Sequence, residues 1–252
     1  MPDLPEPIPA ATLVLMRERR GGGPPELLMM ERTGHMAFAA GALVFPGGRI
    51  DAEDREAAAA FPEVEDAAAR IAAVRETIEE TGIAPALSPA PSAAATAALR
   101  RGIERRRPFL DLLAEQKFSL DLAALTPFAR WCPNFRETRR FDTLFFLAEA
   151  PPGAPEPTVS EHEAVRAFWA GAADILAELD GGRAHAIFPT RRNLERLARF
   201  GSIGEARADA ARHPVQRITP RVEERDGAAH VCIPEGLGYP VTSEPLATAR
   251  RR

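Results

Sequence analysis

The stretch Arg75-Glu76-Thr77-Ile78-Glu79-Glu80-Thr81-Gly82-Ile83 constrains the fold of this chain more than any other. Its acidic residues recur at helical spacing. At about 100° per residue, Glu76, Glu79 and Glu80 share an arc of about 100°. Val64, Ala67, Ala68, Ile71, Val74 and Ile78 occupy a different arc, which must face a core. Gly82 stops the helix, and Pro85 follows. The carboxylate arc is unfavourable alone, because like charges at i,i+3 and i,i+4 repel by roughly 0.2–0.5 kcal/mol per pair. A hard divalent cation relieves that repulsion, and Mg2+ is commonly held by one or two carboxylates plus substrate phosphates. A solvated acidic face is the other account of the same residues.

The residues upstream favour the ion. A short apolar run at 42–45 reads as a strand and leads into Phe45-Pro46-Gly47-Gly48. Gly47 and Gly48 permit a tight turn and close backbone approach to a ligand. A strand, a glycine pair and a helix bearing Arg-Glu-x-x-Glu-Glu-x-Gly together resemble the Nudix box, G-x5-E-x7-R-E-U-x-E-E-x-G-U with U aliphatic. Gly48 stands for its first glycine and Asp54 for its first glutamate. Arg75, Glu76, Glu79, Glu80, Gly82 and Ile83 complete it. Twenty residues separate Asp54 from Arg75 where the pattern has seven, and Thr77 replaces an aliphatic residue. The extra stretch is acidic and Ala-rich, and is expected to extend the helix and its approach loop without disturbing the carboxylates.

A second resemblance narrows the branch. Leu28-Met29-Met30-Glu31-Arg32-Thr33, Gly41 and Phe45-Pro46-Gly47-Gly48 keep the spacing of the signature of coenzyme A-cleaving Nudix enzymes, L-L-T-x-R-S-x3-R-x3-G-x3-F-P-G-G. Ala37 replaces its inner arginine. Thr126-Pro127-Phe128-Ala129-Arg130-Trp131, Arg139-Arg140-Phe141-Asp142-Thr143 and Pro189-Thr190-Arg191-Arg192-Asn193-Leu194 resemble the long-insert branch that includes the peroxisomal coenzyme A diphosphatase and bacterial relatives. The likeness covers about residues 10–200. It implies an α/β fold, a Nudix α/β/α sandwich with a mixed β-sheet and an additional helical insertion.

A diphosphate carries charge that repels a nucleophile, and its leaving phosphate needs neutralising; divalent ions serve both needs. The resemblance implies that Glu76, Glu79 and Glu80 hold Mg2+ or Mn2+ and are catalytic, with the Gly47 carbonyl as a further ligand. Arg75 is expected to bridge to a box glutamate, with Asp54 behind it and Gly82 as the stop. The family often recruits one more carboxylate as ligand or base. Glu163, six residues before Trp169 at the entry to a late strand, is the choice, and Glu161 the reserve. Ordinary strand-entry polarity explains both equally well. His162 is a base by residue type. Arg32, Gly48, Arg139 and Arg140 are expected at the substrate, where guanidinium forks suit a diphosphate or an adenosine 3′-phosphate. Surface charge is an equal account of Arg139 and Arg140. Trp131, Phe141 and Trp169 are expected in the core.

With 252 residues the chain can bury one elaborated domain, expected over 10–252, with a helical insertion at about 85–125 and a flexible segment at 1–9. A net charge of −4 gives no electrostatic case for nucleic acid. Cys132 and Cys232, far apart, suit a reducing compartment. The Pro-rich, acidic start is no signal peptide, Arg250-Arg251-Arg252 is no peroxisomal address, and no apolar run reaches membrane-span length. A cytoplasmic protein without a membrane partner is expected.

Strands are expected at 11–16, 26–30, 42–45, 129–132, 141–148 and 163–169. Helices are expected at 63–81, 172–179 and 189–200, with one or two more across 93–117. A late hairpin pairs 215–222 with 228–233. The arginines at 100, 101 and 105–107 read as a solvated helix face, and the insertion as a cap on the cleft or a dimer contact. Three functions fit: cleavage of coenzyme A or acyl-CoA, cleavage of ADP-ribose, NADH or another dinucleotide, or nucleotide binding without catalysis.

Overall fold

The computed structural model describes residues 5–34, 39–133, 140–159 and 164–249. β1 (Ile8–Arg17) is the spine of a mixed eight-stranded sheet. It begins two residues inside the segment expected to be flexible, because Ile8 already pairs with Phe141. β2 (Glu26–Arg32) turns back along it, but the two pair only at Met16↔Leu27 and Arg17↔Glu26. Beyond that they splay. β3 (Leu43–Val44) then pairs with β2, while β4 (Gly47–Arg49) pairs with β1. Phe45 and Pro46 bridge the gap, and the Pro46 carbonyl accepts the Leu13 N–H at 2.9 Å. Gly47 and Gly48 therefore belong to a strand, where the sequence reading expects a turn.

The insertion before the carboxylate helix does not extend it. It folds into α1 (Ala52–Ala57) and a 3-10 turn, Ala58–Ala60. α2 (Ala67–Thr81) starts four residues later than expected, after Asp66 takes a left-handed conformation at φ 55°. Ile71, Val74 and Ile78 are buried against Leu13, Leu15 and Leu28 of the sheet. Thr77, in place of an aliphatic residue, is also buried; its hydroxyl donates to the Ala73 carbonyl at 2.7 Å, which satisfies it. β5 (Leu87–Ser88), α3 (Ala93–Glu104), α4 (Phe109–Glu115) and β6 (Ser119–Leu120) form the helical insertion, which covers the same side. Arg70, buried in α2, ties it down through the Leu122 and Leu125 carbonyls.

β7 (Thr126–Trp131) pairs antiparallel with β8 (Phe141–Glu149), which runs parallel to β1 from Ile8↔Phe141 to Met16↔Glu149. Along β8, Phe146 and Ala148 face α2, and Phe145 and Leu147 face the other layer. Burial on both faces explains why this stretch is the most apolar of the chain. β9 (Ala164–Gly171) lines the free side of β2. The second layer comprises α5 (Ala172–Asp180), α6 (Phe188–Leu197) and α7 (Ile203–Arg212). The sequence reading passes over α7, although Ile203, Ala206 and Ala210 supply its apolar stripe. The late hairpin divides. β10 (Arg217–Ile218) joins the main sheet beside β7, and β11 (Arg221–Arg225) pairs with β12 (Ala228–Cys232). β13 (Ser243–Pro245) extends that small sheet, and α8 (Leu246–Ala249) follows.

The arginines of α6 turn inward. Arg196 is 1% exposed, pairs with Asp209 at 2.8 Å and lies 4.1 Å above the Phe128 ring. Asn193 accepts hydrogen bonds from Trp131 Nε1 at 3.3 Å and the Tyr239 hydroxyl at 2.8 Å. The Pro189–Leu194 motif thus holds the tail onto the second layer, and Trp131 is core, as expected. Burial pushes Tyr239 up to about 12 from its usual 10.0. The stability this group contributes is complete below pH 10 and is lost as pH rises towards 12. Tyr239 is the one tyrosine of the chain, so its phenolate absorbance at 295 nm reports on it alone. That absorbance is expected to rise only together with loss of helical circular dichroism. Ionisation near pH 10 with the fold intact would contradict this packing.

Candidate active site

Arg75 stands at the centre of the acidic helix face. Its Nε and Nη2 donate to the two Asp54 oxygens, each at 2.9 Å, and Nη2 also reaches the Arg49 carbonyl at 3.2 Å. Nη1 donates to Glu76 at 2.9 Å and approaches Glu79 at 3.5 Å. Asp54 is 2% exposed and also accepts the Asp51 N–H at 2.9 Å, so α1 exists to deliver this carboxylate across the insertion. Burial alone would lower the Arg75 guanidinium, but the hydrogen bonds it donates to Asp54 and the charges of Glu76 and Asp54 hold it well above its ordinary range. It stays cationic at any pH the fold survives.

The glycine pair meets the helix directly. The Gly47 N–H donates to Glu80 at 2.8 Å, a contact no local pattern announces. A Cβ on Gly47 would lie 2.7 Å from Thr12 Cα, so the pairing of β4 with β1 requires glycine there. A Cβ on Gly48 would overlap the Glu76 carboxyl group, 2.7 Å from its Oε2. Gly48→Ala is therefore expected to displace Glu76 and lower activity by about tenfold or more, with thermal stability changed little because Glu76 is near the surface. Unchanged kcat/KM in that variant would show that Glu76 has no positional role. Gly82 closes α2 in the left-handed conformation at φ 66°. Thr158 packs there, its N–H donating to the Thr81 carbonyl at 2.9 Å and its hydroxyl accepting from Arg100 at 3.0 Å.

The remaining expected residues are placed less closely. Arg32 ends β2, and its N–H donates to the Ala42 carbonyl at 3.1 Å, on the segment that enters the glycines. The carbonyl of Arg140, just before β8, accepts the Ile8 N–H at 2.8 Å, and the neighbouring Pro9 carbonyl accepts the Ile50 N–H at 3.1 Å. Both arginines are half-buried, with an Nε that has no hydrogen-bond partner among the described residues. Ala37, Arg139, Glu161, His162 and Glu163 lie outside the described residues. In the insertion, Arg100 pairs with Glu104, Arg106 with Asp51 and Arg107 with Glu115, while Arg101 and Arg105 are exposed. Asp51, 3.8 Å from Arg75, is the acidic neighbour the sequence reading misses.

A human protein, the acyl-coenzyme A diphosphatase NUDT19, is 29% identical over 236 residues, covering 71% of this chain and 62% of that protein. The chain thus spans less than two thirds of its relative. A solved Nudix hydrolase from Alicyclobacillus acidocaldarius superposes with a TM-score of 0.70 at 27% identity, covering 82% of this chain and 97% of the other. This chain has the Nudix fold and is similar in sequence to Nudix hydrolases. No family model matches it. On the Nudix fold the box glycines and box helix are β4 and α2, brought together by the splay of β1 from β2.

The donor set suits a hard divalent ion. Asp51, Asp54, Glu76 and Glu79 gather around Arg75, Glu80 accepts the Gly47 N–H, and Arg106 lies 3.7 Å from Asp51. The donors are all oxygens, and negative charge is in excess. Among the described residues no three of these side chains stand close enough together to enclose an ion. Glu76 and Glu79 lie instead against Arg75.

Proposed function

We propose that this Nudix protein is an enzyme, a divalent-metal-dependent hydrolase that cleaves the diphosphate of coenzyme A or an acyl-CoA to 3′,5′-ADP and (acyl-)phosphopantetheine. The observation that carries the reading is the acidic Nudix helix gathered around Arg75, on a chain similar to a protein described as an acyl-coenzyme A diphosphatase. Glu76, Glu79 and Glu80 would hold Mg2+ or Mn2+, with the Gly47 carbonyl beside them. The ion would neutralise the diphosphate and lower the barrier to attack by water.

The chain's own residues act around that centre. Arg75 and Asp54 fix the rotamers of the carboxylates, so that little reorganisation is needed when the substrate arrives. The Gly47 N–H orients Glu80. Arg32 and Arg140 are the guanidinium groups assigned to substrate phosphates, together with Arg139, and Glu163 is the base assigned to the attacking water. Gly48 has no side chain that would separate substrate from Glu76.

Purified protein incubated with coenzyme A and Mg2+ is expected to release 3′,5′-ADP, read by anion-exchange chromatography. Release of neither 3′,5′-ADP nor phosphopantetheine would remove coenzyme A as substrate. Ala37, in place of the signature arginine, favours a second reading in which ADP-ribose, NADH or another dinucleotide is cut. Comparing kcat/KM across those compounds separates the two.

A further inference from the structure

The arginines of the helical insertion read in the sequence as one solvated face, but the structure separates them. Arg100 is engaged by Glu104 and Thr158, and Arg107 by Glu115. Arg101 and Arg105 are exposed, with no ion pair among the described residues. Arg106 reaches the acidic site. Its Nη1 lies 3.7 Å from Asp51 Oδ2, the same oxygen that Arg75 Nη2 approaches at 3.8 Å. Asp51 follows Gly48 by three residues, a span of at most about 11 Å. Its N–H donates to Asp54 at 2.9 Å, which fixes it to the same arrangement.

The two guanidiniums at Asp51 are held very differently. The Arg75 side chain is 11% exposed and committed to Asp54 and Glu76. The Arg106 side chain is 81% exposed, and a 3.7 Å approach to a part-exposed carboxylate holds it weakly. Its backbone, by contrast, is fixed. The Arg106 N–H donates to the Ile103 carbonyl at 2.8 Å and the Arg107 N–H to the Gly102 carbonyl at 3.1 Å, which closes α3. Ile103 and Leu99 anchor that helix in the core, and a Cβ on Gly102 would lie 2.5 Å from Leu112 Cδ2. A fixed main chain thus presents an accessible, weakly engaged fork at the rim of the carboxylates. Such a fork suits a phosphate and loses little hydration in turning to one.

We infer that Arg106 is a substrate-binding residue, which leaves Asp51 for a phosphate of the substrate when that substrate meets the box helix. The inference rests on the diphosphatase reading above and deepens it: the insertion supplies a cation to a site where negative charge is in excess. The phosphate has two possible sources, the diphosphate itself and the 3′-phosphate that coenzyme A carries and ADP-ribose lacks.

Arg106→Gly is the informative variant. Arg106 lies in the left-handed region at φ 58°, at the position after a helix where glycine is favoured. The melting temperature is therefore expected to stay or rise, while KM rises by about fivefold or more and kcat stays within about twofold. Arg106→Lys, which keeps the charge but loses the fork, is expected to fall between parent and glycine variant. Arg101→Ala and Arg105→Ala, on the same helix, are expected to keep the parent KM. Coenzyme A, 3′-dephospho-coenzyme A and ADP-ribose are compared. A rise for coenzyme A alone assigns Arg106 to the 3′-phosphate, and a rise for every substrate cut assigns it to the diphosphate. An unchanged KM for all of them overturns the inference. A rise of equal size in Arg101→Ala overturns it too, since the effect is then that of net charge. If the parent cuts none of the three, calorimetry with coenzyme A and Mg2+ decides: binding about fivefold weaker in Arg106→Gly keeps the inference while the reaction falls, and equal or absent binding removes both.

Discussion

Glu79→Gln and Glu80→Gln are each expected to lower diphosphatase kcat/KM by about 100-fold or more, with little change in melting temperature. The substitution removes one formal negative charge and leaves the shape nearly unchanged. In Glu80→Gln the amide oxygen still accepts the Gly47 N–H, which the carboxylate now does at 2.8 Å, so β4 keeps its place. In Glu79→Gln the amide oxygen still reaches towards Arg75, which the carboxylate approaches at 3.5 Å. A divalent ion is affected far more, since its affinity depends on anionic oxygens. Raising Mg2+ or Mn2+ should therefore restore part of the activity, and chelation should abolish it in the unaltered protein. Steady-state rates over a metal titration, with circular dichroism melts alongside, read both effects. Activity within a few-fold of the parent in both variants would remove these carboxylates from the metal site.

Arg75→Ala and Asp54→Ala form the second large expectation, on stability. Asp54 is 2% exposed and the Arg75 side chain 11%, so Arg75→Ala strands the Asp54 charge, while Asp54→Ala removes the more buried of the Arg75 partners and leaves it Glu76. Breaking such a pair typically costs about 3–5 kcal/mol. The double variant is expected to lose less than the two single losses combined, because neither charge is then left alone. Urea unfolding of the four proteins measures this coupling. Additive losses would mean that the bridge between α1 and α2 does not organise the site. Activity separates from stability here: a folded double variant should still be slow, since Glu76 and Glu79 have lost the guanidinium that holds them.

Much of this arrangement is legible locally. The stripe of Ile71, Val74 and Ile78 and the stop at Gly82 locate α2, although its start at Ala67 depends on a left-handed Asp66 that no periodicity reveals. The apolar run of β8 reads as a central strand and is one. The Phe-Pro-Gly-Gly stretch is misread as a turn because a strand of three residues is too short for an alternating pattern. The Pro189–Leu194 motif is legible as a branch resemblance, which leaves the role of its arginines open. The structure directs Arg192 and Arg196 into the interior, against Glu244 and Asp209, and ties Arg191 to Asp180.

The sequence by itself determined the acidic arc, the glycine pair and the apolar faces, because these follow from spacings of two to four residues along one element. Only the tertiary structure decided what the acidic arc would face. It brought Asp54 to Arg75 across an insertion, set Gly47 against Glu80 through the splay of β1 from β2, and tied Arg191 of α6 to Asp180 of α5. Each of these joins groups by packing between elements. The energy of a buried charge pair or an unpaired N–H depends on where solvent is excluded, and that is a property of the assembled layers.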